Sequence, residues 1–122
     1  MAKIHIENEQ LIISIEGIRK LWALKSQLSI PLINIVKIDI DSEIWKHTPK
    51  FGQKILGTDL YGFFFAGTFI QQGNKVFYDL KRKEEAIVIT LKNERFDCIV
   101  VGVKNSNETT QLIKKHINNK NS

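Results

Sequence analysis

The segment that decides the fold class is residues 10–16, with the sequence QLIISIE. Leu11, Ile13 and Ile15 alternate with polar residues along most of it. Because successive side chains of a β-strand point to opposite faces, this alternation predicts a strand with one buried face. Gly17 follows directly and tolerates the positive φ of a tight turn, so a partner strand is expected just after it in a hairpin.

Similar segments follow along the rest of the chain. We predict seven strands within about residues 4–103, at residues 10–16, 18–25, 34–41, 63–71, 75–80, 86–91 and 96–103. In the third of these, Val36, Ile38 and Ile40 are expected to face the core. Val88 and Val100 place apolar side chains on the outward faces of the last two strands, so part of the outer surface also needs a cover.

The chain is predicted to close with a helix of about residues 106–118. Asn105 can cap this helix, and Glu108, three residues on, completes a capping-box-like pair. Three apolar residues then lie at helical spacing: Leu112, Ile113 and Ile117. Since this apolar stripe has to be buried, we expect the helix to cap an open end of the structure that the strands form.

Between the third and fourth predicted strands the alternation disappears, from residue 42 to residue 60. This stretch contains Trp45, Pro49, Gly52 and Gly57 and has no regular period. We interpret it as a long excursion loop. Loops of this length in small domains are often functional.

Length, composition and charge bound the class of protein. The 122 residues, 43% of them hydrophobic, suit one domain over residues 1–122 with a single core. No apolar run approaches the roughly 18 residues of a transmembrane helix, and no signal-peptide pattern is present, so we expect a cytoplasmic protein. The formal net charge is +5, but the basic residues 81–83 are followed at once by Glu84 and Glu85. We therefore expect no nucleic-acid partner.

Five segments are distinctive in their residues as well as in their periodicity. They are residues 15–25 (IEGIRKLWALK), 30–32 (IPL), 62–69 (GFFFAGTF), 86–91 (AIVITL) and the helical residues 105–117. Together they resemble a group of small bacterial proteins with a pleckstrin-homology-like domain, over roughly residues 7–117. The resemblance implies a mainly β fold, a seven-stranded antiparallel barrel or sandwich capped by the C-terminal helix. One departure is Leu60-Tyr61-Gly62, which stands where the group has Pro-Gly before its central strand.

The functional implications of the resemblance concern binding. Eukaryotic relatives of the fold often bind phosphoinositides through basic residues near the first hairpin, and others bind peptides or act as scaffolds. The bacterial proteins mostly lack an assigned activity, and some form oligomers. The cations concerned here are Arg19, Lys20 and Lys25 near the hairpin, and Lys46, Lys50 and Lys54 in the excursion. Strand alternation separates Lys20 from the other two hairpin cations, so anionic membrane lipid is the weaker alternative.

The aromatic run from residue 63 to residue 65 is the strongest candidate for an interaction surface. A strand in a one-sided sheet buries only one face in its own core. Phe63 and Phe65 point to one face and Phe64 to the other, so one face needs another cover. The excursion loop can supply it through Trp45 and Phe51, or a second chain can, because large exposed apolar patches usually mark interfaces.

Catalytic and metal-binding patterns are weak in this sequence. The three histidines lie in three separate predicted elements: His5, His47 and His116. Cys98 lies within a strand, where a thiol is usually a small inert hydrophobe, and as the single cysteine it excludes an intramolecular disulfide. A hydrolase or transferase would depend on His47 and Asp59 of the excursion. Residues 39–43 resemble the start of a calcium loop but lack its glycine and its closing glutamate.

These observations favour a non-enzymatic binding or scaffolding module. We expect it to contact a protein partner or a second copy of itself, through the edge of a sheet or an outer apolar surface. We expect no catalytic residue, no cofactor and no metal site.

Overall fold

The computed structural model describes residues 2–15, 27–46, 54–60, 64–81 and 84–121, with the backbone alone described at residues 45, 54–60, 64 and 119–121. The strands are β1 (Lys3–Glu7), β2 (Gln10–Ser14), β3 (Gln27–Pro31), β4 (Ile35–Ile40), β5 (Lys54–Leu60), β6 (Phe64–Gln71), β7 (Asn74–Lys81), β8 (Glu85–Leu91) and β9 (Cys98–Val103). Helix α1 spans Ser106–Asn121, and short 3-10 turns span Leu32–Asn34 and Ile44–Lys46.

The described strands form two sheets. One has three strands in the order β1-β2-β3, and the other has six in the order β4-β8-β9-β7-β6-β5. The prediction of a mainly β protein with a C-terminal helix is confirmed. The prediction of seven strands is wrong, since nine are present among the described residues. Of the two predicted arrangements, barrel or sandwich, the two separate sheets exclude the closed barrel.

The six-stranded sheet is mixed rather than antiparallel. Strands β7 and β9 pair in parallel, with Phe77 opposite Ile99 and Asp79 opposite Val101, whereas β8 and β9 pair antiparallel. Strand β9 therefore lies between β7 and β8, the two strands that precede it in the chain. The prediction of an all-antiparallel arrangement is wrong for this pair. Alternation carries no information on direction, because side chains alternate equally in both kinds of ladder.

The main core lies between the inner face of the six-stranded sheet, the three-stranded sheet and α1. Leu11, Ile13 and Ile15 are buried in it, as the alternation of residues 10–16 predicts. Strand β8 contributes Ile87 and Ile89 from the opposite side. A backbone hydrogen bond also links the two sheets, since the N–H of Ala2 donates to the carbonyl of Gly102 at 2.9 Å.

Two-residue turns close two of the hairpins. Asn8 and Glu9 join β1 to β2 with φ of 50° and 62°, and Gln72 and Gly73 join β6 to β7 with φ of 51° and 82°. Positive φ at both positions is the geometry whose twist matches that of antiparallel strands. The predicted turn at residues 72–74 is confirmed. The predicted turn at Gly17 and the predicted strand 18–25 lie outside the described residues.

Strand β5 and strand β4 correct two predictions. Part of the predicted excursion loop of residues 42–60 is the edge strand β5, whose sequence KILGTDL has no clean alternation and whose register shifts between Lys54 and Leu56.

In β4, Ile38 is buried as predicted, but Val36 and Ile40 are 55% and 42% exposed. A register shift between Ile35 and Lys37 disturbs the alternation at that end of the strand.

Helix α1 packs against β4, β8 and the Leu32–Asn34 turn. Its predicted cap is present, since the N–H of Glu108 donates to Oδ1 of Asn105 at 3.0 Å. Its buried residues are Ser106, Thr110 and Ile113, with Ile117 partly buried. Leu112 is 41% exposed, so the predicted stripe is wrong at that residue. One residue of an α-helix turns the side chain by about 100°, which takes Leu112 off the stripe of Ile113.

Within the described part of the chain, no helix has both the length and the apolar character needed to cross a membrane.

Candidate functional site

A second apolar cluster covers the outer face of the six-stranded sheet, opposite the main core. Its buried members are Ile44, Phe65, Phe69, Val76, Tyr78, Leu80, Ala86 and Val100, with Val88 and Cys98 partly buried against them. The cluster exists because β6, β7, β8 and β9 carry apolar side chains on both faces, as is typical of strands inside a sheet covered on both sides.

Three aromatic rings organise one end of this cluster. The ring of Phe69 meets those of Phe65 and Tyr78 edge to face, with centroids 5.7 Å and 5.4 Å away. Phe65 and Tyr78 lie 5.8 Å apart at a tilted angle. Edge-to-face pairs at these distances are the arrangement that the charge distribution of aromatic rings favours. The three rings form one wall of the cluster, called here the aromatic wall.

Beside this wall the outer face opens into a cleft of about 800 Å³, called here the outer cleft. Among the described residues, its apolar lining comes from Ile44, Val76, Tyr78, Val88, Leu91, Cys98 and Val100. Its polar lining comes from Asp41, Lys46, Gln71, Gln72, Asn74, Thr90 and Asp97. Strand pairing explains how the apolar part forms, because Val76 lies opposite Cys98, and Tyr78 and Val88 both lie opposite Val100.

Two ionisable groups of the described apolar lining, the Tyr78 hydroxyl and the Cys98 thiol, stay neutral near pH 7. Burial raises the pKa of the Tyr78 hydroxyl, and this hydroxyl donates a hydrogen bond to Oε1 of Gln71. Burial likewise raises the pKa of the Cys98 thiol to about 11. A thiol with this pKa is a poor nucleophile at neutral pH, because the thiolate is the reactive form.

Two carboxylates of the outer cleft are oriented by backbone groups. Oδ1 of Asp41 accepts a hydrogen bond from the N–H of Glu43 at 2.9 Å. Oδ2 of Asp97 accepts one from the N–H of Lys75 at 2.8 Å, while the N–H of Asp97 donates to the Lys75 carbonyl at 2.8 Å. Anchoring of this kind holds each side chain in one direction without removing its negative charge.

A third charged group of the cleft, Lys46, lies on the Ile44–Lys46 turn. Its Nζ is 3.0 Å from Oε2 of Glu43 in an exposed ion pair. The positive charge is therefore partly balanced by a neighbour outside the cleft lining. Among the charged residues described in the lining, the two aspartates outnumber this single lysine.

The outer cleft combines apolar and polar groups. Its described lining pairs neutral apolar groups with amides, carboxylates and one ammonium, and its single thiol is protonated at neutral pH. Over the described ranges, no group of three or more histidine, cysteine, aspartate or glutamate residues is placed to hold a metal ion.

The structure places few of the residues that the sequence singles out. Phe65 is only 5% exposed and belongs to the aromatic wall, so in the single chain it is an interior residue. The backbones of Phe64 and Trp45 lie in β6 and in the Ile44–Lys46 turn. Those of Lys54 and Asp59 lie in β5. The residues outside the described part are Arg19, Lys20, Lys25, His47, Lys50, Phe51 and Phe63.

The other two histidines lie apart from the cleft lining. Nε2 of His5 is 3.3 Å from Oε2 of Glu7 on β1. Nδ1 of His116 is 2.9 Å from the carbonyl of Leu112, one turn earlier in α1. Both contacts are local to their own element, and neither places an imidazole beside the thiol of Cys98 in the described lining.

Comparison with known proteins gives no match. No protein-family model, no curated protein and no solved structure corresponds to this chain.

Proposed function

We propose that this protein is a non-catalytic binding module, which holds an apolar side chain of a partner protein in the outer cleft. The observation that carries the proposal is the combination of a neutral apolar lining from Val76, Tyr78, Val88 and Val100 with a polar border. Protein interfaces have the same arrangement, in which an apolar centre excludes water and a polar rim surrounds it.

The outer cleft is large enough for one anchoring side chain of a partner protein and the residues next to it. Ligand sites typically have volumes of roughly 300–1,000 Å³, and the cleft has about 800 Å³. One large aromatic or aliphatic side chain leaves room for the flanking backbone. Energies of binding are usually concentrated in a few such anchors.

The polar border suits a peptide backbone. Gln71, Gln72 and Asn74 lie at the β6–β7 hairpin, and each side-chain amide provides both a donor and an acceptor. A peptide backbone presents alternating N–H and C=O groups that require both kinds of partner. The anchored carboxylates of Asp41 and Asp97 favour a basic residue beside the apolar anchor.

A random-peptide phage library tests the proposal, with the wild-type chain as bait and Val88→Arg as counter-bait. Val88 is only partly buried at the cleft, so an arginine there introduces charge into the site while leaving the main core intact. We expect selected peptides to share one large apolar residue and to bind the wild type at least tenfold more tightly than the variant.

Ile70→Arg is the matched control. Ile70 is 38% exposed and alternates with Phe69 along β6, so it lies on the opposite face of the same sheet. Peptides that depend on the outer cleft bind this variant as well as they bind the wild type. A selection without enrichment, or peptides that bind the Val88 variant equally well, would contradict the proposal.

Two earlier expectations stay predictions. The relationship to the pleckstrin-homology-like group is one. Attachment to anionic lipid is the other, because Arg19, Lys20 and Lys25 lie outside the described residues. Flotation with phosphatidylserine vesicles at low salt tests lipid attachment, since electrostatic binding is strongest there.

A further inference from the structure

Strand β4 forms one edge of the six-stranded sheet, and among the described strands β8 is its single partner. Its exposed residues include two large hydrophobic ones, Val36 and Ile40, at 55% and 42%. An edge strand with exposed apolar side chains presents unpaired backbone groups beside a surface that gains from burial. A strand from another molecule can pair with these backbone groups and bury the apolar side chains.

Alternate residues of β4 direct their backbone N–H and C=O groups to opposite sides of the strand, which is called here the backbone parity. Just beyond the end of β4, the N–H of Asp41 donates to the carbonyl of Ala86 in β8. In an antiparallel ladder, alternate residues direct both backbone groups to the same neighbour. Asp39 therefore directs its groups to β8, where it lies opposite Val88. Ile38 and Ile40 direct theirs to the open side.

The sequence of β4 is complementary to itself. Residues 36–40 read VKIDI. If two copies of the strand run antiparallel with Ile38 opposite Ile38, then Lys37 of each copy faces Asp39 of the other. Opposite charges directly across neighbouring strands stabilise a sheet.

The charges also select this register against its neighbours. If the register is centred on residue 37 or on residue 39 instead of Ile38, Lys37 lies opposite Lys37 of the other copy, or Asp39 lies opposite Asp39. Like charges directly opposite each other are destabilising. Registers centred between two residues pair residues that direct their backbone groups to different sides of the strand. The Ile38-centred register is therefore the one that satisfies both the charges and the backbone parity.

We infer that β4 is an interface for a second copy of this chain, paired antiparallel about a two-fold axis through Ile38. Ile38 exchanges two backbone hydrogen bonds with its counterpart, and the register shift between Ile35 and Lys37 ends the regular ladder on one side. The two sheets join into one of twelve described strands. The interface is isologous, so it closes as a dimer and does not propagate.

This dimer has a consequence for the outer cleft. A two-fold axis perpendicular to the joined sheet keeps the outer faces of both copies on the same side. The two outer clefts then open onto one surface, and a partner with two anchors can engage both. The dimer itself does not depend on the proposed binding function, because no residue of its register lines the outer cleft.

Charge exchange tests the interface. Lys37→Asp and Asp39→Lys each place like charges opposite each other in both symmetric pairs, and we expect each change to weaken dimerisation about tenfold or more. The double variant restores opposite charges and recovers the wild-type dissociation constant. Sedimentation-velocity measurements across a concentration series give the constants, and circular dichroism checks the fold of each variant.

Lys104→Asp is the control, because Lys104 is an exposed lysine outside β4. It changes the net charge as Lys37→Asp does and leaves dimerisation unaltered. Hydrogen exchange adds a second readout, in which the amides of Ile38 and Ile40 gain protection as concentration rises. The inference is overturned by a wild type that stays monomeric, by single variants that dimerise normally, or by a double variant that stays as weak as the single ones.

Discussion

Glu84 lies against Gly102 so closely that a Cβ on this glycine would come within 2.7 Å of the Cβ of Glu84 and 2.8 Å of its Cδ. The contact arises where the chain passes from β7 to β8 around the end of β9. Oε1 of Glu84 accepts a hydrogen bond from the N–H of Lys81 at 2.7 Å, and the N–H of Glu84 donates to the Lys81 carbonyl at 3.0 Å. Because Gly102 has no side chain, Glu84 can lie directly against its backbone.

Gly102→Ala should destabilise the fold through this contact. The added methyl has to displace the side chain of Glu84 and its hydrogen bond, and overpacking of this kind typically costs about 1–3 kcal/mol. Chemical denaturation measures the loss. In a Glu84→Gly background the obstructing atoms are absent, so the same substitution should cost much less. Equal costs in the two backgrounds would show that the contact is not the cause.

Asn105→Ala should weaken the start of α1. The side chain of Asn105 accepts the N–H of Glu108, and loss of such a cap typically costs about 1 kcal/mol. Asn107→Ala is the control, because Asn107 is exposed two residues further on and alanine is a better helix former. Thermal and chemical denaturation should separate the two variants. An Asn105 variant as stable as the wild type would count against the cap.

Glu85 should make stability depend on pH on the acid side. It accepts a hydrogen bond from the backbone N–H of Ser106 at 2.7 Å, and this bond holds the pKa of its carboxyl below the ordinary 4.5. Because the pKa is lower in the folded state, the carboxylate stabilises the fold above pH 4.5. This contribution is lost as the pH falls through the folded-state pKa.

Glu85→Gln removes the charge and with it this part of the pH dependence. Unfolding by urea at pH 7 and at several values below 4.5 should therefore show a shallower decline for the variant than for the wild type. Parallel declines would exclude Glu85 as the source.

Cys98 should react slowly with alkylating reagents in the folded protein. Its thiol has a pKa of about 11 instead of the ordinary 9.0, which lowers the thiolate fraction at pH 8 about 100-fold. Iodoacetamide labelling followed by mass spectrometry measures the rate, with the urea-unfolded chain as reference. Occupation of the outer cleft by a selected peptide should slow the reaction further. Labelling of the folded chain at the reference rate would contradict the burial of this thiol.

Features set by residues close together in the chain are the ones that the sequence predicts well. The cap at Asn105, the turn at Gly73 and the buried alternation of residues 10–16 depend on local geometry alone. Strands β1 and β3 are absent from the predicted strands. The sequence of β5 does not alternate and therefore predicts a loop.

Long-range pairing and the outer cleft required the structure. Period-two patterns are the same in parallel and antiparallel ladders, so nothing local to β7 or β9 indicates that they are neighbours. The cleft had one signal in the sequence, the outward apolar residues Val88 and Val100. Its other members, such as Tyr78 and Asp97, come from segments whose proximity depends on that unexpected pairing.

The place of β9 in the sheet also bears on the order in which the protein forms during synthesis. Of the nine described strands, β9 is the last to leave the ribosome, yet its neighbours β7 and β8 flank it on both sides. The ladders that β9 forms with β7 and β8 can form only after residues 98–103 have been synthesised. The six-stranded sheet is therefore completed only after all of its other strands have been made.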